Sequence, residues 1–166
     1  MIKGQAFGLK GIFAATILLL IQACASGSTT VLNPASSAEK YSSITIEAAE
    51  DTVEVESELS DYYEAQLREL LYVEDGFGEG GELTARYRFI QVDKGSRAAR
   101  YFVGLGAGKG SLTIETVFLN AAGEEVAKIQ SGGEISGGFA GGGFQEAVGK
   151  AAKQTAEYAK SNLLAP

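Results

Sequence analysis

The sequence predicts a single α+β domain of two layers, in which two helices cover one face of a mostly antiparallel or mixed sheet in the order β-α-β-β-β-α. Apolar and polar residues alternate over separate stretches, which is the period of half-buried strands. Two further stretches carry apolar residues at the helical spacing of three and four. Residues 41–166 are enough chain for one domain with its own core.

The first half of this domain contributes one strand and one helix. Ile44 and Ile46 alternate with polar neighbours, so residues 42–48 are predicted to form a strand. Apolar residues at helical spacing predict the first helix over residues 58–73, and the glycines at 76–81 end it. Four acids crowd residues 50–56, which we therefore expect to be exposed.

The second half contributes three strands and a helix. In the clearest strand, Leu83, Tyr87 and Phe89 are predicted to be buried, whereas Arg86 and Arg88 point to the opposite, solvated face. The remaining elements are a strand over 112–119, a hairpin loop over 120–123 with glycine where positive φ is needed, a strand over 126–131 and a helix over 143–162. Seven glycines at 132–143 predict a flexible crossover loop, with a small-residue packing motif as the alternative.

Residues 1–23 have the pattern of a lipoprotein signal peptide. Two lysines precede an apolar core at 11–21, which is too short to span a bilayer as a helix. Its ending, Ile21-Gln22-Ala23-Cys24, is similar to a bacterial lipobox, so we expect cleavage before Cys24 and acylation of that residue, with palmitate among the attached chains. The alternative is an ordinary secretory signal followed by an incidental cysteine. Cys24 is the only cysteine, and a lone free thiol is a liability in an oxidising compartment.

The segment after the signal predicts how the domain is attached. Residues 24–40 are mostly small and polar, which is typical of a flexible tether between a lipid and the domain at 41–166. Ala25 stands where Asp would favour the inner membrane, so the expected location is the outer membrane, facing the periplasm.

Charge is divided unevenly along the mature chain. Loss of two lysines with the signal leaves 12 basic residues against 21 acidic ones, a net charge of −9. Residues 39–82 carry 14 acids and two bases, whereas residues 83–110 carry six bases and one acid. Either these two regions attract each other within one domain, or the basic region binds the phosphates of anionic lipid. Overall acidity and export both argue against a nucleic-acid partner.

The candidate interaction surface combines basic residues with bare backbone. Its members are Arg86, Arg88, Lys94, Arg97, Arg100, Gly104, Gly106 and Gly108. In an extended segment, glycine at every second position presents one face without side chains, which a helix, a strand or a lipid can approach closely. The alternative is a bent or bulged strand that needs glycine for steric reasons. The spacing fits neither a phosphate-binding loop nor a dinucleotide-binding loop.

The sequence G-S-R-A-A-R-Y-F-V-G-L-G-A-G-K-G at 95–110 resembles the signature of a family of small bacterial lipoproteins, known as domain of unknown function 4410. The resemblance extends over residues 41–162. It implies an envelope lipoprotein with an α/β domain. It implies no activity and no catalytic residues.

The sequence lacks residue types on which most enzymes depend, which argues against a catalytic function. The chain has no histidine, the commonest general base and metal ligand, and its one cysteine is assigned to lipid. We therefore expect no enzyme, no cofactor and no metal site. The predicted function is a non-catalytic cell-envelope lipoprotein that acts as a binding or structural module, with membrane lipid and an envelope protein or anionic lipid as partners. The alternatives are a glycine-rich membrane-active or oligomerising protein and an enzyme that uses carboxylates.

Overall fold

A computed structural model describes residues 27–36, 38–73, 75–93, 110–135 and 143–166. The strands in these ranges are β1 (Gly27–Asn33), β2 (Ser43–Ala48), β3 (Gly78–Glu79), β4 (Leu83–Asp93), β5 (Gly110–Asn120) and β6 (Glu125–Ile135). The helices are α1 (Ser57–Leu71), which precedes β3, and α2 (Phe144–Asn162), which follows β6.

The six strands form one mixed sheet in the order β1-β6-β5-β4-β2-β3. Strand β2 pairs in parallel with β3 and β4, and the remaining pairs are antiparallel. The α+β class with a mixed sheet is therefore confirmed. Two strands, β1 and the short β3, are additional to the predicted order.

The tether prediction is wrong for residues 27–33, because these residues form the edge strand β1. They pair antiparallel with β6, from Gly27 opposite Gly133 to Val31 opposite Ile129. The sequence of β1 has no clear apolar alternation. This edge strand of small residues and threonines depends on the hydrogen bonds that its neighbour β6 supplies. The pattern of apolar residues therefore could not predict that β1 belongs to the sheet.

Strand β4 lies inside the sheet, between β2 and β5, and carries the predicted alternation. The side chains of Leu83, Tyr87 and Phe89 are at most 1% exposed, as predicted. Arg86 is exposed and Arg88 is partly exposed on the other face. The strand continues past Phe89 to Asp93 through an irregularity in its pairing with β5.

The β5–β6 hairpin is confirmed, and its turn has the predicted glycine chemistry. Gly123 has a φ of 81°, and its N–H donates to the Asn120 carbonyl at 2.8 Å. The Asn120 side-chain oxygen accepts from the backbone N–H groups of Ala122 and Glu124 at 3.0 Å each. These contacts fix the turn locally, which is why the sequence could predict it.

A buried hydroxyl cluster joins both helices to the sheet. The Tyr63 hydroxyl of α1 donates to Thr155 Oγ1 of α2 at 3.0 Å, and Thr155 Oγ1 lies 2.8 Å from Ser131 Oγ of β6. Thr116 of β5 lies at the limit of hydrogen bonding, 3.5 Å from the same tyrosine oxygen. All four residues have no exposed surface, so their hydrogen bonds offset the cost of burying them.

Small residues let α2 approach the sheet closely at Gly133. A Cβ atom at this position would lie 2.5 Å from the Ala147 carbonyl oxygen and 2.8 Å from its Cα. Gly132 and Gly133 belong to β6, so the predicted loop over 132–143 is wrong at its start. Residues 136–142 lie outside the described residues.

The acidic segment at 50–56 is less exposed than its charge predicted. Val53 and Val55 are half-buried and pack against the core. The segment is held beside β4, where Asp51 accepts a hydrogen bond from the Phe89 N–H at 2.7 Å and Thr52 N–H donates to the Phe89 carbonyl at 3.1 Å. Glu50 and Glu54 are exposed, whereas Asp51 and the two valines are half-buried.

Candidate interaction surface

The structure describes only part of the predicted interaction surface. Lys94, Arg97, Arg100, Gly104, Gly106 and Gly108 lie outside the described residues, and so does the predicted lipidation site Cys24. Arg86 and Arg88 are described, and they lie two residues apart on the same face of β4.

Arg86 contacts the acidic region of the chain. Its Nη2 and Nε atoms donate to Glu47 Oε2 at 2.9 and 3.2 Å. The parallel pairing of β2 and β4 places these two residues side by side. Both side chains are more than 40% exposed, so the pair contributes at most about 1 kcal/mol to stability. This contact agrees with the interpretation in which the acidic and basic regions attract each other.

Arg88 has a more buried partner on the other neighbouring strand. Its Nη2 and Nε atoms donate to Glu115 Oε1 at 2.7 and 3.0 Å, and the two residues are paired in register. The Glu115 side chain is only 10% exposed, whereas that of Arg88 is 43% exposed. Because a buried carboxylate needs a partner, Arg88 has a structural role that sequence reasoning missed. The only signal in the sequence was Glu115 on a strand that is apolar around it.

Four of the described strands share a row at one end of the sheet. Val92, Leu112, Gly133 and Gly27 occupy one row across β4, β5, β6 and β1. We call this the Gly27 end of the sheet. The chain leaves β4 towards Lys94 and enters β5 at Gly110 from this end. It also leaves β6 from this end, and Cys24 precedes β1 by only two intervening residues.

An open groove of about 330 Å³ lies at the Gly27 end. Its lining comprises Ser28, Ser111, Leu112, Thr113, Gly132, Gly133 and Glu134. Gly132 stands between Ser28 and Thr113 in one row of the sheet, so the missing side chain leaves space between two hydroxyl groups. The groove therefore offers hydroxyl groups.

The clearest pKa shifts in the core have a structural cause. Burial raises the pKa of Tyr63, and burial also raises the pKa of Tyr87 to about 12. The Tyr87 hydroxyl lies 3.2 Å from Ser60 Oγ and 3.4 Å from Glu64 Oε2. These tyrosines lie between α1 and the middle of the sheet, and they line no part of the groove.

The described ranges contain neither a candidate metal site nor a membrane-spanning helix. No group of three or more His, Cys, Asp or Glu residues there is placed to hold a metal ion. Neither of the helices that the structure describes is long and apolar enough to cross a membrane.

The fold and the surface define a small α+β domain with a six-stranded mixed sheet and a polar groove at one end. The chain belongs to the family described as Domain of unknown function (DUF4410), whose profile matches residues 29–138. The match begins inside β1, in agreement with the finding that this strand is part of the domain.

Comparison with solved structures found similar chains at low identity. A PelC dodecamer from Paraburkholderia phytofirmans matches with 11% identity and a TM-score of 0.45, over 84% of this chain and 99% of that chain. A variant of that dodecamer with one substitution matches with 10% identity and a TM-score of 0.43 over the same shares. No curated protein matches the chain.

Proposed function

We propose that this protein is a non-catalytic lipoprotein of the bacterial cell envelope, anchored through acylated Cys24. The observation that carries the proposal is the sequence Ile21-Gln22-Ala23-Cys24 directly after a short apolar core. In this proposal the outer membrane holds the anchor and the domain faces the periplasm. Several acyl chains give durable attachment, at about 0.8 kcal/mol per buried CH₂ group.

The domain would act as a binding or structural module. This part of the proposal is supported by the absence of histidine from the whole sequence and by the assignment of the single cysteine to lipid. It is also supported by the two described arginines of the interaction surface, since each of them is paired with a carboxylate of the domain itself. An arginine that is paired with a carboxylate of a neighbouring strand helps to position that strand. It contributes less to the binding of a separate anion than an unpaired arginine would.

We further propose that both helices lie on the same face of the sheet, giving two layers. Support comes from the contacts of Tyr63 in α1, whose ring centroid is 4.8 Å from that of Tyr87 in β4. The same residue donates to Thr155 of α2, which is itself hydrogen-bonded to Ser131 of β6. A two-layer domain leaves the opposite face, with Arg86 and Arg88, available to solvent or a partner.

Lipid attachment is tested by growing cells that express the full chain with labelled palmitate. We expect label in the wild-type protein and none in Cys24→Ser, which should also leave the membrane fraction or persist as uncleaved precursor. Ser26→Ala is the matched control, because it changes a neighbouring small residue and should keep the label. Equal labelling of wild type and Cys24→Ser would contradict the proposal.

A second candidate function, an oligomerising envelope protein, is favoured by the exposed edge of β1. This strand has no charged residue, and Val31 and Leu32 are 46% and 48% exposed. An uncharged edge with apolar side chains is the kind of surface on which another strand can pair. Sedimentation of the detergent-solubilised protein tests this function. Oligomers that dissociate in Leu32→Lys, but not in Val73→Lys at a distant exposed valine, would support it.

A further inference from the structure

We infer that the Gly27 end of the sheet faces the phospholipid headgroup layer of the membrane that holds Cys24. This inference rests on the proposed lipid anchor and adds an orientation to it. It assigns an interaction surface to residues that are far from the anchor in sequence, such as Ser111 and Thr113. The opposite end of the sheet, with the Asn120–Gly123 turn, then faces away from the membrane.

The length of the link is the first argument. Ala25 and Ser26 alone separate Cys24 from the first residue of β1. Three Cα–Cα steps span at most about 11 Å. The headgroup region of one leaflet is itself about 5–8 Å thick, so the link can do little more than cross it. A flexible tether as far as residue 40 would have allowed every orientation, but the pairing of β1 with β6 removes that freedom.

The register of the sheet is the second argument. Because Gly27 shares a row with Gly133, Leu112 and Val92, four strands have their ends near the level at which the link joins the sheet. Strand β5 runs from this level to Asn120, and its 11 residues rise by about 35 Å. Two positions on a single hairpin, Ser111 and Ala122, therefore differ greatly in their expected distance from the membrane.

The chemistry of the groove is the third argument. Its hydroxyl groups, from Ser28, Ser111 and Thr113, can donate hydrogen bonds to the phosphate of a phospholipid headgroup. By contrast, the exposed side of α1 carries Glu58, Asp61 and Glu69, which makes it a poor surface to lay on an anionic bilayer.

The experiment places a fluorescent label on the full lipidated protein in vesicles. Acylated Cys24 has no free thiol, so Ser111→Cys and Ala122→Cys each offer a unique attachment site. The proteins are reconstituted in phosphatidylethanolamine with a minor share of phosphatidylglycerol, and a lipid with a nitroxide on its headgroup serves as quencher. We expect several-fold stronger quenching at residue 111 than at residue 122. The difference should persist at about 1 M salt, where screening is nearly complete, because the link is covalent.

A variant with a longer link between Cys24 and β1 tests whether the short link causes the orientation. Insertion of about 12 Gly and Ser residues after Ser26 gives a flexible spacer with an r.m.s. length of about 20 Å, and the difference in quenching should then shrink. A difference that is unchanged by the insertion would overturn the role of the short link. Equal quenching at both positions, in protein that carries labelled palmitate, would overturn the inference alone. Failure to incorporate palmitate would overturn the proposed function and this inference together.

Discussion

The contact between Gly133 and α2 gives the sharpest prediction for stability. In Gly133→Ala, the new Cβ atom would lie 2.5 Å from the Ala147 carbonyl oxygen and 2.9 Å from its carbonyl carbon. These are backbone atoms of a helix, so they cannot rotate away as the end of a flexible side chain would. Either α2 shifts from the sheet or β6 bends, and overpacking of this kind costs about 1–3 kcal/mol.

Two other glycines provide matched controls for this substitution. A Cβ atom at Gly132 would lie 3.2 Å from the Leu112 carbonyl oxygen, so Gly132→Ala should cost less. A Cβ atom at Gly81 would meet nothing within 4 Å. Gly81→Ala should therefore be neutral, or stabilising by about 0.4–1 kcal/mol, because it reduces the entropy of the unfolded chain.

Urea denaturation of the unlipidated mature chain, followed by circular dichroism, measures these differences. We expect the free energy of unfolding to fall in the order Gly81→Ala, Gly132→Ala, Gly133→Ala. For a domain of this size, the penalty at Gly133 corresponds to a decrease in Tm of about 3–10 °C. If Gly133→Ala proved as harmless as Gly81→Ala, the close packing of α2 against β6 would be refuted.

Three further predictions concern the sheet and its buried groups. Phe89→Ala should reduce the free energy of unfolding by about 3–5 kcal/mol. Arg86→Ala should reduce it by less than about 1 kcal/mol, because the ion pair of Arg86 is exposed. Equal losses in urea titrations would mean that the face assignment of β4 is wrong. Arg88→Ala should reduce the free energy of unfolding by about 1–3 kcal/mol, more than Arg86→Ala, because it leaves the nearly buried Glu115 carboxylate without its partner. Addition of Glu115→Gln should recover part of this loss of stability. A double variant that is no more stable than Arg88→Ala would argue against this cause. Burial raises the pKa of Tyr87 to about 12 in the folded chain, so the unfolded chain loses this proton first. The contribution of Tyr87 to stability should therefore be complete below about pH 10 and be lost as the pH rises towards about 12. Urea midpoints across this range should fall less steeply in Tyr87→Phe, and an identical slope would contradict the assignment.

The sequence by itself determined the elements whose signals are local. The alternation of Leu83, Tyr87 and Phe89 with Arg86 and Arg88 defines a strand with one buried face, because a shift by one residue would expose every apolar side chain. The spacing of apolar residues placed α1 within two residues of its observed bounds. Gly123 was predictable for a similar reason, since the positive φ of its turn excludes most other residues.

The candidate surface was predictable only in part. Sequence reasoning correctly placed Arg86 on the solvated face of β4, but it could not assign the carboxylates that pair with the two arginines. Glu47 reaches Arg86 from β2, which is about 40 residues earlier in the chain, and Glu115 reaches Arg88 from the opposite neighbour. The identity of a cross-strand neighbour depends on strand order and register, which are properties of the whole sheet.

Only the tertiary structure decided the roles of β1 and of Gly133. Strand β1 has the composition of a linker, and β6 makes it a strand by supplying hydrogen-bond partners from about 100 residues away. Gly133 was one of seven glycines that suggested a loop, yet the approach of Ala147 requires a bare backbone at this position. Local patterns record which side chains are buried, whereas partners that are distant in the chain decide which backbone segments pair and how closely they pack.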